Sequence, residues 1–174
     1  MKALVVCLVS FLGLTAASFQ DPPDFNPAKM ERLIADSINS ERRTGGVDEL
    51  RMDAVLSGIA RSHSEEMARI GYFDHTNPEG RDPKDRVRAA GYECKEIAEN
   101  ISRTKLYSKV TTSGNRKSYD WYTPEQVAAA AVKVWISKRD DHRNILEKKY
   151  QKTGMGVAIS DDVQLYVTEI FCSL

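Results

Sequence analysis

The chain has 174 residues, 41% of them hydrophobic and 29% charged, with 25 basic residues against 25 acidic ones. That length closes one core without many cross-links, and the composition is that of a globular domain rather than a disordered or membrane-embedded chain. The balanced charge supplies no chain-wide field of either sign to steer nucleic acid or an anionic membrane, so no nucleic-acid partner is expected.

Lys2 precedes an apolar run, Ala3 to Leu14, and the small residues Thr15-Ala16-Ala17-Ser18. This order predicts a secretory signal peptide over residues 1–18, cut after Ala17 or Ser18. The run falls short of the roughly 20 apolar residues that a membrane span needs. The expected location is therefore outside the cytoplasm, secreted or in the cell envelope, with no transmembrane segment once the leader is gone. Cleavage removes Cys7 and leaves Cys94 and Cys172. An exported pair favours a disulfide; the alternative is two buried thiols packed as small core residues.

Residues 19–27 are rich in proline and aspartate and read as a linker. Asn26-Pro27 is a cap followed by a first helical residue, and Met30, Leu33, Ile34 and Ile38 then repeat at helical spacing until Gly45-Gly46. A second helix is expected from about Asp53 to Gly71, with Leu56, Ile59, Ala60, Met67 and Ile70 on one stripe. A third, shorter one runs from Asp82-Pro83 to Gly91. Cys94 to Ile101 reads as a strand. Residues 105–122 are polar and predict a surface excursion or hairpin, a length of connection that often carries function.

Thr123-Pro124-Glu125-Gln126 is a capping-box start for a broadly apolar helix through Trp135. Asp140 or Asp141 is placed to cap a short helix holding His142, Ile145 and Leu146. Gly154–Ile159 and Val163–Cys172 flank the turn Ser160-Asp161-Asp162 as a hairpin. Val163, Leu165, Val167 and Phe171 alternate with Tyr166 and Ile170, so both faces of the last strand are apolar. Such a sheet is covered by helices on both sides.

Three histidines follow the leader. His63 lies on the inward stripe of the second helix, which reads first as packing. His75 follows Phe73-Asp74 and leaves the helix for a turn-rich loop. His142 sits beside two aspartates that suit a helix start and could orient the ring. Glu99 lies in the mixed strand, and Asn100-Ile101-Ser102 matches a glycosylation sequon.

Phe73-Asp74-His75, Ala98-Glu99-Asn100-Ile101 and Trp135-Ile136-Ser137 running on to His142-Arg143-Asn144-Ile145-Leu146 resemble the CAP superfamily (cysteine-rich secretory, antigen-5 and pathogenesis-related proteins), in its compact microbial form. The resemblance spans about residues 28–174, with 105–122 as an insertion. It implies an α+β fold, a three-layer α/β/α sandwich with a small, mainly antiparallel sheet. It also implies a central cleft holding His75, Glu99 and His142, with His63, Asn100, Ser137 and Glu169 around it. Ala98 replaces the family glycine. The second glutamate of larger relatives is absent, and Glu169 stands where glutamine is usual. Pairing with a lysine is the favoured role for that carboxylate.

Two imidazoles and a carboxylate suit Zn²⁺ or another divalent cation, although no sequence-local zinc motif occurs; no organic cofactor is expected. The functional expectation is a non-catalytic binding domain for an extracellular lipid, glycan or protein. The alternatives are a metal-dependent, peptidase-like hydrolase with Glu99 as general base and a structural wall-associated domain.

Overall fold

A computed structural model describes residues 22–174 of the chain; the leader and Cys7 lie outside the described residues. The elements follow in order as α1 (Pro27–Thr44), β1 (Arg51–Met52), α2 (Ala54–Ile70), α3 (Pro83–Ala89), β2 (Glu96–Lys105), β3 (Tyr107–Ser113), β4 (Arg116–Trp121), α4 (Pro124–Ser137), α5 (Arg139–Leu146), β5 (Lys152–Ile159) and β6 (Gln164–Ser173).

Helix starts obey the local chemistry. The Asn26 side chain accepts from Lys29 N, the Asp53 side chain from Val55 N and Leu56 N, and Thr123 and Gln126 close a capping box. Each satisfies backbone donors that the first helical turn leaves unpaired. One expected cap fails: α5 begins at Arg139 behind Lys138, with no side-chain cap, and both aspartates lie inside its first turn. There they still favour the positive end of the helix dipole.

The main sheet runs β1-β5-β6-β2, with β1 parallel to β5 and the other pairs antiparallel. Side chains alternate across it. Leu165, Val167 and Phe171 join the large core with α1, α4 and α5, while Ile170 and Cys172 pack with Leu56 and Ala60 of α2 and Val87 of α3. Helices therefore cover both faces, and the fold is the three-layer α/β/α sandwich.

The α2 layer sits unusually close to the sheet. A Cβ at Gly154 would lie 2.1 Å from Leu56 C, and one at Gly156 would lie 2.0 Å from Arg61 N. Ser64 Oγ donates to Gly156 O at 3.0 Å across this contact. Cys94 and Cys172 form a disulfide, Cα–Cα 5.5 Å, across a sequence separation of 78. A loop of that size corresponds to about 4.5 kcal/mol in the chain-entropy model.

Strand β2 runs longer than the expected Cys94–Ile101 and pairs with β6 from Glu96↔Ser173 to Lys105↔Gln164. The excursion after it is a separate antiparallel hairpin, β3–β4, which stays outside the main sheet.

Candidate functional site

Strand β2 is an edge of the main sheet, and its alternation sorts the site. Ile97 and Ile101 pack toward α2 and α3, while Ala98 packs into the large core. Glu99 shares the side of Ile97 and Ile101, and Asn100 the side of Ala98. The substitution of alanine for glycine at position 98 is accommodated without strain, because Val163 is the one non-glycine residue at positive φ among the described residues.

Glu99 receives two donors. His75 Nδ1 donates to its Oε1 at 2.8 Å and Arg86 Nη2 to its Oε2 at 2.5 Å. The carboxylate side chain is 1% exposed, whereas His75 is 51% exposed. Arg86 Nη1 also donates to His75 O at 2.7 Å, so one guanidinium holds the carboxylate and the backbone of the residue it orients. With Nδ1 protonated, His75 keeps Nε2 as its acceptor. The Glu99 hydrogen bond raises the His75 pKa from its ordinary value, against the opposing effect of burial, with Asp141 among the supporting charges. A cavity of about 250 Å³ opens beside His75, lined also by Pro83, Lys84, Ile97, Ala98 and Glu99. Three consecutive strand residues share that lining only because the cavity looks onto the edge of β2.

Helix α5 closes the other side of this edge. Asn100, fully buried, donates from Nδ2 to Asp141 O at 3.0 Å and accepts from Asn144 Nδ2 at 2.9 Å. A buried amide bonded at both ends docks α5 and is closed to glycosylation in the folded chain. Asp141 is thereby brought within electrostatic range of His75, and burial pushes its carboxyl pKa up. His142, the next residue, turns to α1, where its Nε2 donates to Glu41 Oε1 at 2.8 Å.

His75 and Glu99 are thus brought together, and His142 is held by a different carboxylate. Glu99 spends both oxygens on His75 and Arg86, which makes it an orienting group rather than a free ligand. Among the described residues, no group of three or more His, Cys, Asp or Glu side chains is set to hold a metal ion. The expected three-ligand set does not fit this geometry.

The outer residues separate as well. His63 is 1% exposed and packs as the sequence suggests; its Nε2 donates to Asp74 O at 3.0 Å, leaving Nδ1 3.3 Å from the Tyr72 hydroxyl. Burial lowers its pKa. Ser137 bonds back to Val134 O on its own helix.

Glu169 pairs with no lysine. It lies fully buried on the large-core face, where Thr153 Oγ1 is 3.1 Å from its Oε1 and its Oε2 has no partner. Burial pushes its pKa up to about 8. Arg86 and Glu41 were missed by sequence reasoning; nothing local distinguishes either from an ordinary solvated helix residue.

The model of the cysteine-rich secretory protein family, CAP, matches residues 35–171. The chain belongs to this family. It is similar to the uncharacterised protein YkwD of Bacillus subtilis (strain 168), 29% identical over 133 residues covering 76% of this chain and 44% of that one. The chain therefore spans less than half of that relative's length. Among solved structures, it resembles an extracellular SCP-domain protein of Bacillus anthracis with TM-score 0.65 and 20% identity, covering 85% of this chain and 41% of that one. It also resembles an outer surface protein of Borrelia burgdorferi with TM-score 0.66 and 13% identity, covering 83% and 92%. At these identities the two structures speak for the CAP fold alone. Among the described residues of this CAP domain, no helix is long and apolar enough to cross a membrane.

Proposed function

We propose that this chain is an exported CAP-domain binding protein that engages its ligand through one oriented imidazole, His75, at the open edge of β2. The observation that carries this reading is the Arg86–Glu99–His75 chain. A carboxylate fixes the tautomer and plane of the ring, leaving Nε2 unspent on a half-exposed residue that lines the cavity. The leader pattern and the extracellular and outer-surface descriptions of the two structural neighbours support export.

Catalysis has weaker support. Among the described residues, no hydroxyl or thiol is hydrogen-bonded to His75, so a nucleophile–base pair is absent there. Glu99, with both oxygens committed, is a poor base for activating water. With the three-ligand set not assembled among the described residues, a cation would find one unspent nitrogen here, that of His75, because the His142 ring turns to Glu41.

Calorimetry with Zn²⁺ tests the reading. Weak binding through that single nitrogen is expected, lost in His75→Ala and unchanged in His142→Ala. Equal affinity in wild type and His75→Ala would overturn a role for that imidazole.

A further inference from the structure

The balanced charge of the whole chain conceals a local segregation. Residues 103–122 carry Arg103, Lys105, Lys109, Arg116 and Lys117 against the single acid Asp120. The rest of the chain therefore holds an excess of acids. These residues form the end of β2 and the β3–β4 hairpin, which pairs with no strand of the main sheet.

Cross-strand register places Tyr107 opposite Trp121, Val110 opposite Tyr119 and Thr112 opposite Lys117. Partners directly opposite share a face, so one side of the hairpin carries three aromatic rings, then a hydroxyl and a cation toward the tip. The rings form a continuous ladder, with Tyr107–Tyr119 centroids 4.9 Å apart and Tyr119–Trp121 centroids 4.7 Å apart.

At the base of the ladder lies an open groove of about 570 Å³ between the hairpin and α4. Arg103, Thr104, Lys105, Tyr107, Tyr122 and Val134 are among its lining residues, and no acidic residue is. Its cation Lys105 is placed by an aromatic contact, with Nζ 5.8 Å from the Tyr107 ring centre, while the Arg103 guanidinium stacks over Phe73 and Tyr166 on the α2 side of β2.

From this arrangement we infer that the groove and hairpin form a second binding surface, for an acidic polysaccharide. Sugar rings stack on Tyr107 and Tyr119, and carboxylates pair with Lys105 and Lys117. An alkyl chain would not use the alternation of ring and cation, and the groove is open rather than enclosed. The hairpin tip, Ser113-Gly114-Asn115, is polar and has no apolar wedge for a bilayer. The surface is separate from the His75 cleft and does not rest on the reading of that cleft.

The test is binding of an oligogalacturonate of about ten residues to the full chain, beside a neutral cello-oligosaccharide and an oligodeoxythymidylate of similar length. The acidic sugar is expected to bind, with affinity falling at least about tenfold as salt rises from about 50 to 300 mM. A similar loss is expected in Lys105→Glu and Lys117→Glu, both with an unchanged thermal midpoint. Tyr119→Ala is expected to weaken binding without changing the salt slope. Equal affinity for the neutral sugar, or no effect of either charge reversal, would overturn the proposal. Tighter binding of the oligonucleotide would overturn it too, because rings beside cations also suit single-stranded nucleic acid.

Discussion

Arg86 donates to Glu99 across 2.5 Å with 9% and 1% of the two side chains exposed. A carboxylate so placed needs its cation, and the cation arrives from a seven-residue helix whose first residues also line the His75 cavity. Removing one partner of a buried pair leaves the other charge uncompensated, at about 3–5 kcal/mol. Arg86→Met is therefore expected to lose that much in urea unfolding, and the double variant Arg86→Met/Glu99→Leu to recover most of it. A single-variant loss below about 1 kcal/mol would show that the pair is not needed to hold the edge of β2.

The same carboxylate sets the ionisation of His75. Its hydrogen bond raises the imidazole pKa above the ordinary 6.5. A raised histidine pKa means that the folded chain holds its proton more tightly than the unfolded chain. The resulting stability is full below 6.5 and is lost as pH rises through the folded value. In an NMR titration, His75 of the wild type should titrate above 6.5, and in Glu99→Gln it should fall back toward 6.5. Titration of His75 at the same pH in both proteins would remove Glu99 from this role.

Two glycine substitutions should differ in sign. Gly156→Ala forces a methyl group onto the Arg61 backbone at 2.0 Å, and rigid backbone cannot step aside as a side chain would. Thermal unfolding should show a loss of about 3 kcal/mol or more as α2 lifts from β5. Gly58→Ala places its methyl in open space inside α2, where alanine gains up to about 1 kcal/mol of helix propensity. Equal effects at both sites would contradict the close seating of α2.

The caps at Asn26, Asp53 and Thr123, the turn before β6 and the two apolar faces of that strand were legible because each follows from residues within a few positions. His75 beside Glu99 was legible only through family likeness, since nothing in their spacing brings a loop and a strand together. Arg86 was not legible at all. It sits on a helix between residues of ordinary polarity, and its value comes from a contact made 13 positions away. His142 misleads for a related reason: the neighbouring aspartates look like its orienting carboxylates, whereas Glu41 on α1 supplies that group across 101 positions. Gly154 and Gly156 read as a strand start, and only the packed helix shows that their missing side chains set the distance between layers.

Glu169 shows what a buried acid does when its expected partner is absent. Arg42 faces the same region, but its guanidinium donates to the carbonyls of Asp48, Ile145, Glu147 and Tyr150, leaving the carboxyl without an ion-paired hydrogen bond. Thr153 Oγ1 lies 3.1 Å from Glu169 Oε1 and 3.0 Å from Ile170 O. One hydroxyl proton cannot serve two acceptors. A protonated Glu169 resolves this by donating to Thr153, which donates in turn to Ile170 O. Burial raises the folded pKa to about 8 from an ordinary 4.5. The unfolded chain thus ionises first as pH rises; the contribution to stability is full below 4.5 and disappears between 4.5 and about 8. Glu169→Gln keeps the shape and the donor to Thr153 while removing the ionisation. Its thermal midpoint should match wild type near pH 4.5 and exceed it increasingly toward pH 8, by an amount worth a few kcal/mol. Parallel stability curves for the two proteins across that range would mean that Glu169 is ionised in the folded chain.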